Sequence, residues 1–295
     1  FPNMWDAWDI DAHYRNAVED LTAAETVVVD GTDIVVERRF GSSTVVERIH
    51  LKPESRVLSF ALDIDWHEKQ KLLKFAVPVD VHTDRATSEI QFGHIERATH
   101  TNTSWDAARF ETVAHRWIRV AEPDFGVAIV NDSTYGHDIT RHAREGGGTI
   151  SIARLSLIRG ALFPDPEQDQ GRHALEIGVV VGADVTDAIV EGYRLNLPPR
   201  VIENAANEDI DPLITVDQPG VVVEAVKLAE DGSGDVIVRL YEALGSRTRA
   251  HLTVGFPAES VWQTDLLERR IDDDGVATDA AGVDLALRPF QLVTL

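Results

Sequence analysis

A chain of 295 residues can fold as one large or two ordinary domains, and its 50 acidic against 28 basic residues give a formal charge of −22. A surface that negative repels nucleic acid and anionic lipid, so neither is expected as a partner, and no apolar run approaches the roughly 20 residues of a membrane span. Cysteine is absent, which excludes disulfides and thiolate metal sites and fits a cytoplasmic protein.

The amino-terminal FPNMWDAWD lacks the basic and apolar regions of a signal peptide, and Phe1 is not an initiator methionine, so the chain reads as a processed product or part of something longer. Ile10 to Asp20 has room for one short helix. From Thr26 the pattern turns to strands: TVVVD, IVVERRF, TVVERIHL and RVLSFALDID, parted by turns at Asp30-Gly31, Gly41-Ser42 and Lys52-Pro53. Turn signals about 8 to 12 residues apart are what an antiparallel sandwich produces. LLKFAVPVDV continues the pattern, with Pro78 marking an edge strand or a bulge. Aromatic, imidazole and carboxylate groups are densest from Glu89 to Trp117, where Ile90 and Phe92 alternate with polar neighbours, the polar loop THTNTSWD carries Trp105, and Phe110 to Val120 reads as a strand.

Gly126 to Val130 and Ile150 to Leu157 are further strands, joined by a long loop containing Tyr135 and the Gly146-Gly147-Gly148 run. LFPDPEQDQGRH is irregular until a strand begins at Ala174, and Leu195 to Leu213 reads as a linker. A boundary near Asp209 gives domains of residues 1–208 and 209–295. The tail VVVEAVKLAE, DVIVRLYEAL, SRTRAHLTV, VWQTDLL and VDLALRPFQLVTL, with turns at Asp231-Gly232-Ser233-Gly234, Gly245-Ser246 and Asp274-Gly275, is the size of one small antiparallel sandwich. Helical connectors between successive strands are not evident, so the whole chain is predicted to be all-β.

Eleven histidines invite a search for metal sites, but there is no HExxH, and His137 and His142 are spaced to fall on opposite sides of a strand. Asp9, Asp11 and His13 converge only if their segment is extended. No metal ligand and no catalytic residue is assigned: there is no GxSxG elbow, and nothing selects a carboxylate pair from so many acids. Three clusters, besides Trp105, carry possible recognition chemistry. Trp66, His67 and Glu68 set an aromatic face beside hydrogen-bonding groups, which suits a sugar, the plainer alternative being a core tryptophan with polar neighbours. Asn131, Asp132 and Tyr135 lie in NDSTYGHD, which either presents a ligand surface or is an ordinary turn held by Asn131 and Asp132 on backbone amides. Arg154 and Arg159 flank an otherwise apolar strand, where one is drawn inward by a carboxylate or ligand or both are solvated. Trp105 either lies on a recognition loop or plugs an end of the sandwich.

The motifs WDAWDID, DWHEKQKLLKFAVPVDV, EIQFGHIERATHTNTSWDAARFETVAHRW, GVAIVNDSTYGHDI and LSLIRGALFPDPEQDQGRH, with VRLYEALGSR, TDLLER and LRPFQLVTL after them, resemble the carboxy-terminal half of α-mannosidases of glycoside hydrolase family 38. The resemblance covers nearly the whole chain. It implies a large galactose-mutarotase-like β-sandwich, lacking its first strands, followed by a small antiparallel β-sandwich. It further implies that an α/β barrel-like catalytic domain and a three-helix bundle precede them in the same polypeptide and are this chain's partners. An aspartate nucleophile, a second carboxylic acid and zinc would act there on an α-mannoside oligosaccharide with retention, leaving no cofactor in this chain. Arg159 in LIRG and the Tyr135 loop match regions that approach the sugar. ALEIGVVVGADVTD departs from the aromatic strand and proline-histidine pair the family usually carries after the GRH. The competing reading is an autonomous mutarotase-like carbohydrate-binding or epimerising module, for which His94 and Glu96, one strand period apart, would be acid and base. A sandwich edge left open by missing strands favours self-association into a homo-oligomer.

Overall fold

The computed structural model describes residues 7–203, 210–271, 277–279 and 282–295. Trp5 and Asp6 of the amino-terminal motif, the Asp274-Gly275 turn and the expected boundary near Asp209 lie outside those residues. The chain forms two compact units, Phe1–Glu89 with Ile95–Pro199, and Ile90–His94 with Arg200–Leu295.

In the larger unit a 3-10 helix, Ala12–Asn16, precedes strands β1 (Thr26–Asp30), β2 (Asp33–Phe40), β3 (Ser43–Leu51), β4 (Val57–Trp66), β5 (Leu73–Val79), β6 (Arg85–Ile90) and β7 (Gly93–Ala98). Helix α1 (Ser104–Ala108) follows, then β8 (Thr112–Val113), β9 (Trp117–Ala121), β10 (Gly126–Asn131), β11 (Gly136–Ala143), β12 (Thr149–Ile158), β13 (Gly171–Val181) and helix α2 (Val185–Asn196). One sheet has the order β1-β2-β3-β4-β13-β10-β9-β6-β7 and the other β5-β12-β11-β8. The period-two alternation read in RVLSFALDID sends Leu62, Ile64 and Trp66 of β4 inward, where they meet Ala153, Leu155 and Ile158 of β12 and Ile118, Ile129 and Ile177. That cluster draws on both sheets and is the core of an antiparallel sandwich.

Pro78 does lie on an edge strand, since β5 ends the four-stranded sheet. Four expectations in this unit need correction. The stretch from Phe110 to Val120 is two strands in different sheets, because the chain leaves β8 and enters β9 around Ala114 to Arg116. The polar loop before it contains α1, nucleated by a capping box in which Thr103 and Asp106 each bind the other's amide. The long loop after β10 holds β11. Helical connectors are present too, for α2 follows β13 and packs Ala188, Ile189 and Gly192 inward. Among the described residues no helix is long and apolar enough to cross a membrane.

The second unit holds β14 (Ile214–Val216), β15 (Val221–Leu228), β16 (Val236–Glu242), β17 (Thr248–Val254), β18 (Ala277–Asp279), β19 (Gly282–Leu287) and β20 (Leu292–Thr294), in sheets ordered β14-β17-β19-β18 and β15-β16-β20. VWQTDLL is not a strand; it contributes isolated bridges at Thr264. The core joins Val238, Leu240, Leu252, Leu285 and Val293 from four strands. Its most buried charge is Glu242, which has no exposed surface. That carboxylate accepts from the amides of Leu244 at 3.0 Å, Gly245 at 2.8 Å, Ser246 at 3.1 Å and Phe290 at 3.0 Å, and from the Ser246 hydroxyl at 3.0 Å. Gly245 turns at φ +71°, and a Cβ there would sit 2.8 Å from the Phe290 ring.

Charge-assisted bonds to a buried carboxylate are strong, and removing it strands its donors. Glu242→Ala is therefore expected to destabilise this unit by about 2 to 4 kcal/mol, and Glu242→Gln by less, in urea unfolding. A loss near zero for the alanine variant would show that water replaces the carboxylate without penalty.

Candidate functional site

The strand register gathers most of the expected site residues at one end of the larger unit. β4 ends there at Trp66, β10 at Asn131 and β12 at Ile158, while β11 begins at Gly136 and β5 at Leu73. Pairing of His137 with Leu155 and of Leu73 with Ile158 puts Tyr135 and Arg159 at the same sheet end.

Tyr135 is 58% exposed, and its ring packs on His115 with centroids 5.8 Å apart. The pair rests on rigid supports. Glu89, buried, accepts the Arg116 amide at 2.6 Å and the Arg116 guanidinium at 2.6 Å, and lies 3.9 Å from His115 Nδ1. The Arg116 guanidinium stacks 3.7 Å over Tyr193 of α2, and the carboxylate raises its pKa despite the opposing effect of burial. Helix α2 can come this close because residue 192 is glycine: a Cβ there would lie 3.2 Å from both Arg116 Cβ and Trp117 Cδ1.

Asn131 and Asp132 take the structural role. Asn131 Nδ2 donates to the His115 carbonyl at 3.1 Å and its Oδ1 accepts from Thr134 N at 2.8 Å, while Asp132 accepts from Glu176 N at 3.0 Å and Ser133 Oγ at 2.6 Å. They hold the turn that presents Tyr135. Trp66 is corrected from sugar face to core: 1% exposed, it packs against Phe40 at 5.9 Å. His67 pairs with Asp65 at 2.9 Å, half exposed, and Glu68 binds Ser42 N at 2.7 Å and Lys71. Burial raises the Glu68 carboxyl, but Lys71 and the Ser42 amide outweigh it and hold it low.

Of the two arginines of β12 and its end, Arg154 is the one drawn in by a carboxylate, 2.8 Å from Asp138, with Thr140 Oγ1 also at 2.8 Å. Arg159 is half-buried, and its amide donates to Asp169 at 3.3 Å. Trp105 does not plug the sandwich: it is 75% exposed on α1, which precedes β8. His94 and Glu96 do not form an acid–base pair. His94 Nδ1 donates to the Ala243 carbonyl at 3.1 Å in the second unit, and Glu96 pairs with Arg85 at 3.3 Å in the first.

Beside the Tyr135 turn runs an ion network that sequence reasoning missed. Asp138, with 1% of its side chain exposed, meets Lys74 at 2.6 Å, Arg154 at 2.8 Å and Arg15 at 3.2 Å. Lys74 also binds Glu111 at 2.7 Å, and Glu111 accepts from the Tyr14 hydroxyl at 2.9 Å. Burial alone would raise Asp138 and lower Lys74; mutual attraction reverses both, leaving Asp138 low and Lys74 high. His137, on the opposite face of β11, is 2% exposed, with Nε2 3.3 Å from Ser88 Oγ and 3.1 Å from Thr112 Oγ1. Burial, with the Arg97 charge near it, pushes its pKa down to about 4, so the ring is neutral at pH 7. The alternation in GHDITRHA could have shown β11, and the Asp184/Asp187 capping box with apolar Val185, Ala188 and Ile189 could have shown α2.

Fold and site together define an antiparallel β-sandwich protein in two compact units, with an aromatic and hydrogen-bonding rim on the larger. Residues 1–167 match the Glycosyl hydrolases family 38 C-terminal domain, and residues 220–295 match the Glycosyl hydrolases family 38 C-terminal beta sandwich domain. The chain is 34% identical over 314 residues to Alpha-mannosidase 2C1 of Homo sapiens and 32% identical over 285 residues to Alpha-mannosidase G of Dictyostelium discoideum, covering 100% and 90% of this chain respectively. It spans only 29% and 25% of the lengths of those relatives. Its fold is that of an alpha-mannosidase from Enterococcus faecalis V583, at a TM-score of 0.70 and 18% identity over 92% of this chain and 35% of that one. The chain belongs to glycosyl hydrolase family 38, as a carboxy-terminal region of that family.

The His137 shift has a sign. Its folded pKa is depressed to about 4 from an ordinary 6.5, so the unfolded chain takes up the proton first, and stability held above pH 6.5 is lost as pH falls toward 4. The loss is about 3 kcal/mol. Urea unfolding at pH 7, 5.5 and 4 is expected to show this decrement in the wild type and not in His137→Gln. Parallel pH profiles would mean that His137 protonates in the fold as it does in water.

Proposed function

We propose that this chain is the scaffold and substrate-contacting carboxy-terminal region of a retaining, zinc-dependent α-mannosidase that cleaves α-mannosidic bonds of an oligosaccharide in the cytoplasm. The observation that carries the reading is the continuity of the family likeness along the chain, in a protein spanning 29% of its relatives' length. The nucleophile, the acid and the zinc belong to catalytic and helical domains placed before it in the same polypeptide. Among the described residues no three His, Asp or Glu side chains are grouped to hold a metal ion.

This chain's own contribution is a sugar-facing edge. Tyr135 on His115 offers a ring face to the apolar side of a pyranose, the imidazole edge can hydrogen-bond a hydroxyl, and Arg159 at the same sheet end supplies a guanidinium. Glu89, Arg116 and Asn131 hold that edge rigid, so little order has to be imposed when the sugar binds. Strand β1 gives the preceding polypeptide something to cover. It is the last strand of the nine-stranded sheet, with Val27, Val28 and Val29 63%, 54% and 73% exposed. Residues 1–208 form the sugar-facing domain in this reading and 209–295 a small carboxy-terminal sandwich.

The test is hydrolysis of an aryl α-mannoside by this chain and by the product of its whole gene, each with and without added zinc. Turnover is expected from the whole product alone. In that product Tyr135→Ala and Arg159→Ala should each lower kcat/KM by about tenfold, the size of one lost stacking or charged contact. Turnover by the isolated chain would move the chemistry into these residues, and unchanged kinetics in both variants would remove the sugar-facing role.

A further inference from the structure

The larger unit contains a cleft of about 480 Å³ between the β6–β7 ribbon, the α1 segment and β11. That volume accommodates a monosaccharide-sized ligand. Its charges are not balanced in the usual way. Each acid lining it is already matched: Asp138 by Lys74, Arg154 and Arg15; Glu96 by Arg85 at 3.3 Å and the Thr87 hydroxyl at 3.0 Å; Asp106 by the Thr103 hydroxyl at 2.7 Å, with His100 at 3.6 Å. The cations are in surplus.

Arg97 of β7 is the anomaly. It is half-buried, and among the described residues its guanidinium makes no ion pair, while Nη1 is shut off from solvent with no hydrogen-bond partner. Burial lowers its pKa and no carboxylate raises it. The neighbouring His137 cannot serve, because it is neutral, and its Nε2 faces the hydroxyls of Ser88 and Thr112. Arg109 stands exposed on the same cleft; it feels the Asp106 carboxylate but makes no ion pair within 4 Å among the described residues. Among the described residues no acid is placed against the Arg97 guanidinium. Guanidinium groups match the paired oxygens of an oxyanion better than they match a neutral hydroxyl.

We propose that this cleft binds a phosphate group, free or carried by a monosaccharide, with Arg97 as its principal contact and Arg109 as the second positive charge. A dianion suits two unpaired cations better than a monoanion does, and the negative field of the whole chain makes such a local surplus necessary for any anion to enter. The inference stands apart from the mannosidase reading, since binding is read without turnover.

The whole gene product, in phosphate- and sulfate-free buffer, is titrated calorimetrically with inorganic phosphate, a hexose monophosphate and the neutral hexose, at ionic strength fixed with chloride. Saturable binding of either phosphate, with the neutral hexose at least tenfold weaker, is expected; inorganic phosphate alone or the sugar phosphate alone identifies the source. Arg97→Met should weaken that binding at least tenfold and Arg97→Lys by less. Because it removes an uncompensated cation, Arg97→Met should unfold no lower than wild type in anion-free buffer, and phosphate should raise the Tm of wild type only. Absence of saturable binding by both phosphates, or an Arg97→Met affinity within twofold of wild type, would overturn the proposal.

Discussion

Asp138 is the constraint on which the packing of the larger unit depends. A carboxylate 1% exposed is tolerable only if opposite charge comes with it, and here the charge arrives from separate parts of the chain: Lys74 on β5, Arg154 on β12 and Arg15 from the amino-terminal 3-10 helix. The four groups fix how those elements lie on one another, because moving any of them leaves an unpaired charge in a poorly solvated place. Glu111 extends the network by accepting from Lys74 and from Tyr14, so the start of the chain is tied to residues almost a hundred positions later. The apolar core beneath, around Trp66 and Leu155, supplies the driving force for burial, and the ion network selects among arrangements that would bury it equally well.

The same division of labour holds at the Tyr135 rim. Glu89 and Arg116 neutralise each other below the surface, Asn131 and Asp132 satisfy backbone amides and carbonyls in the turn, and α2 closes against them at Gly192. The hydrogen-bonding side chains that look most like ligands in the sequence are therefore largely committed to structure. Those left facing outward are Tyr135 and the His115 ring, with Arg159 half-buried at the same sheet end. A surface whose supports are all satisfied internally loses little entropy on binding.

The all-β class and most strands were legible because inward and outward residues alternate, as Leu62, Ile64 and Trp66 do in β4, with turn residues between the runs. The family was legible from several motifs in one order. The rest failed for identifiable reasons. Phe110 to Val120 looks continuous because apolar spacing cannot show that a strand changes sheets. α2 was hidden among expectations of strands although its capping box was in plain view at Asp184 and Asp187. Trp66 and Trp105 have the same composition signal, an aromatic among polar residues, yet one is 1% and the other 75% exposed; only the strand register decides that. The Asp138 network could not be read at all, since its members are scattered from Arg15 to Arg154 and nothing in their local sequence marks them as partners.

Asp138 and Glu242 show two ways of burying a carboxylate, with different consequences. Glu242 is wrapped by amides of its own turn and of Phe290 together with one hydroxyl, all neutral donors held by the backbone path, so its charge is delocalised locally and fixes the shape of one turn. Asp138 is matched by long, flexible cations from distant elements, so its stability contribution is cooperative with tertiary packing and cannot exist in an isolated strand pair. The first device suits a compact sandwich whose turns must be exact in shape but whose sheets are held by apolar contact. The second suits a larger sandwich in which a rim at one end must be set relative to strands that enter from both sheets. In a chain of net charge −22 the cations around Asp138 are concentrated where a buried carboxylate needs them, while the other buried acids, Glu47, Glu68, Glu89 and Glu242, carry donors of their own.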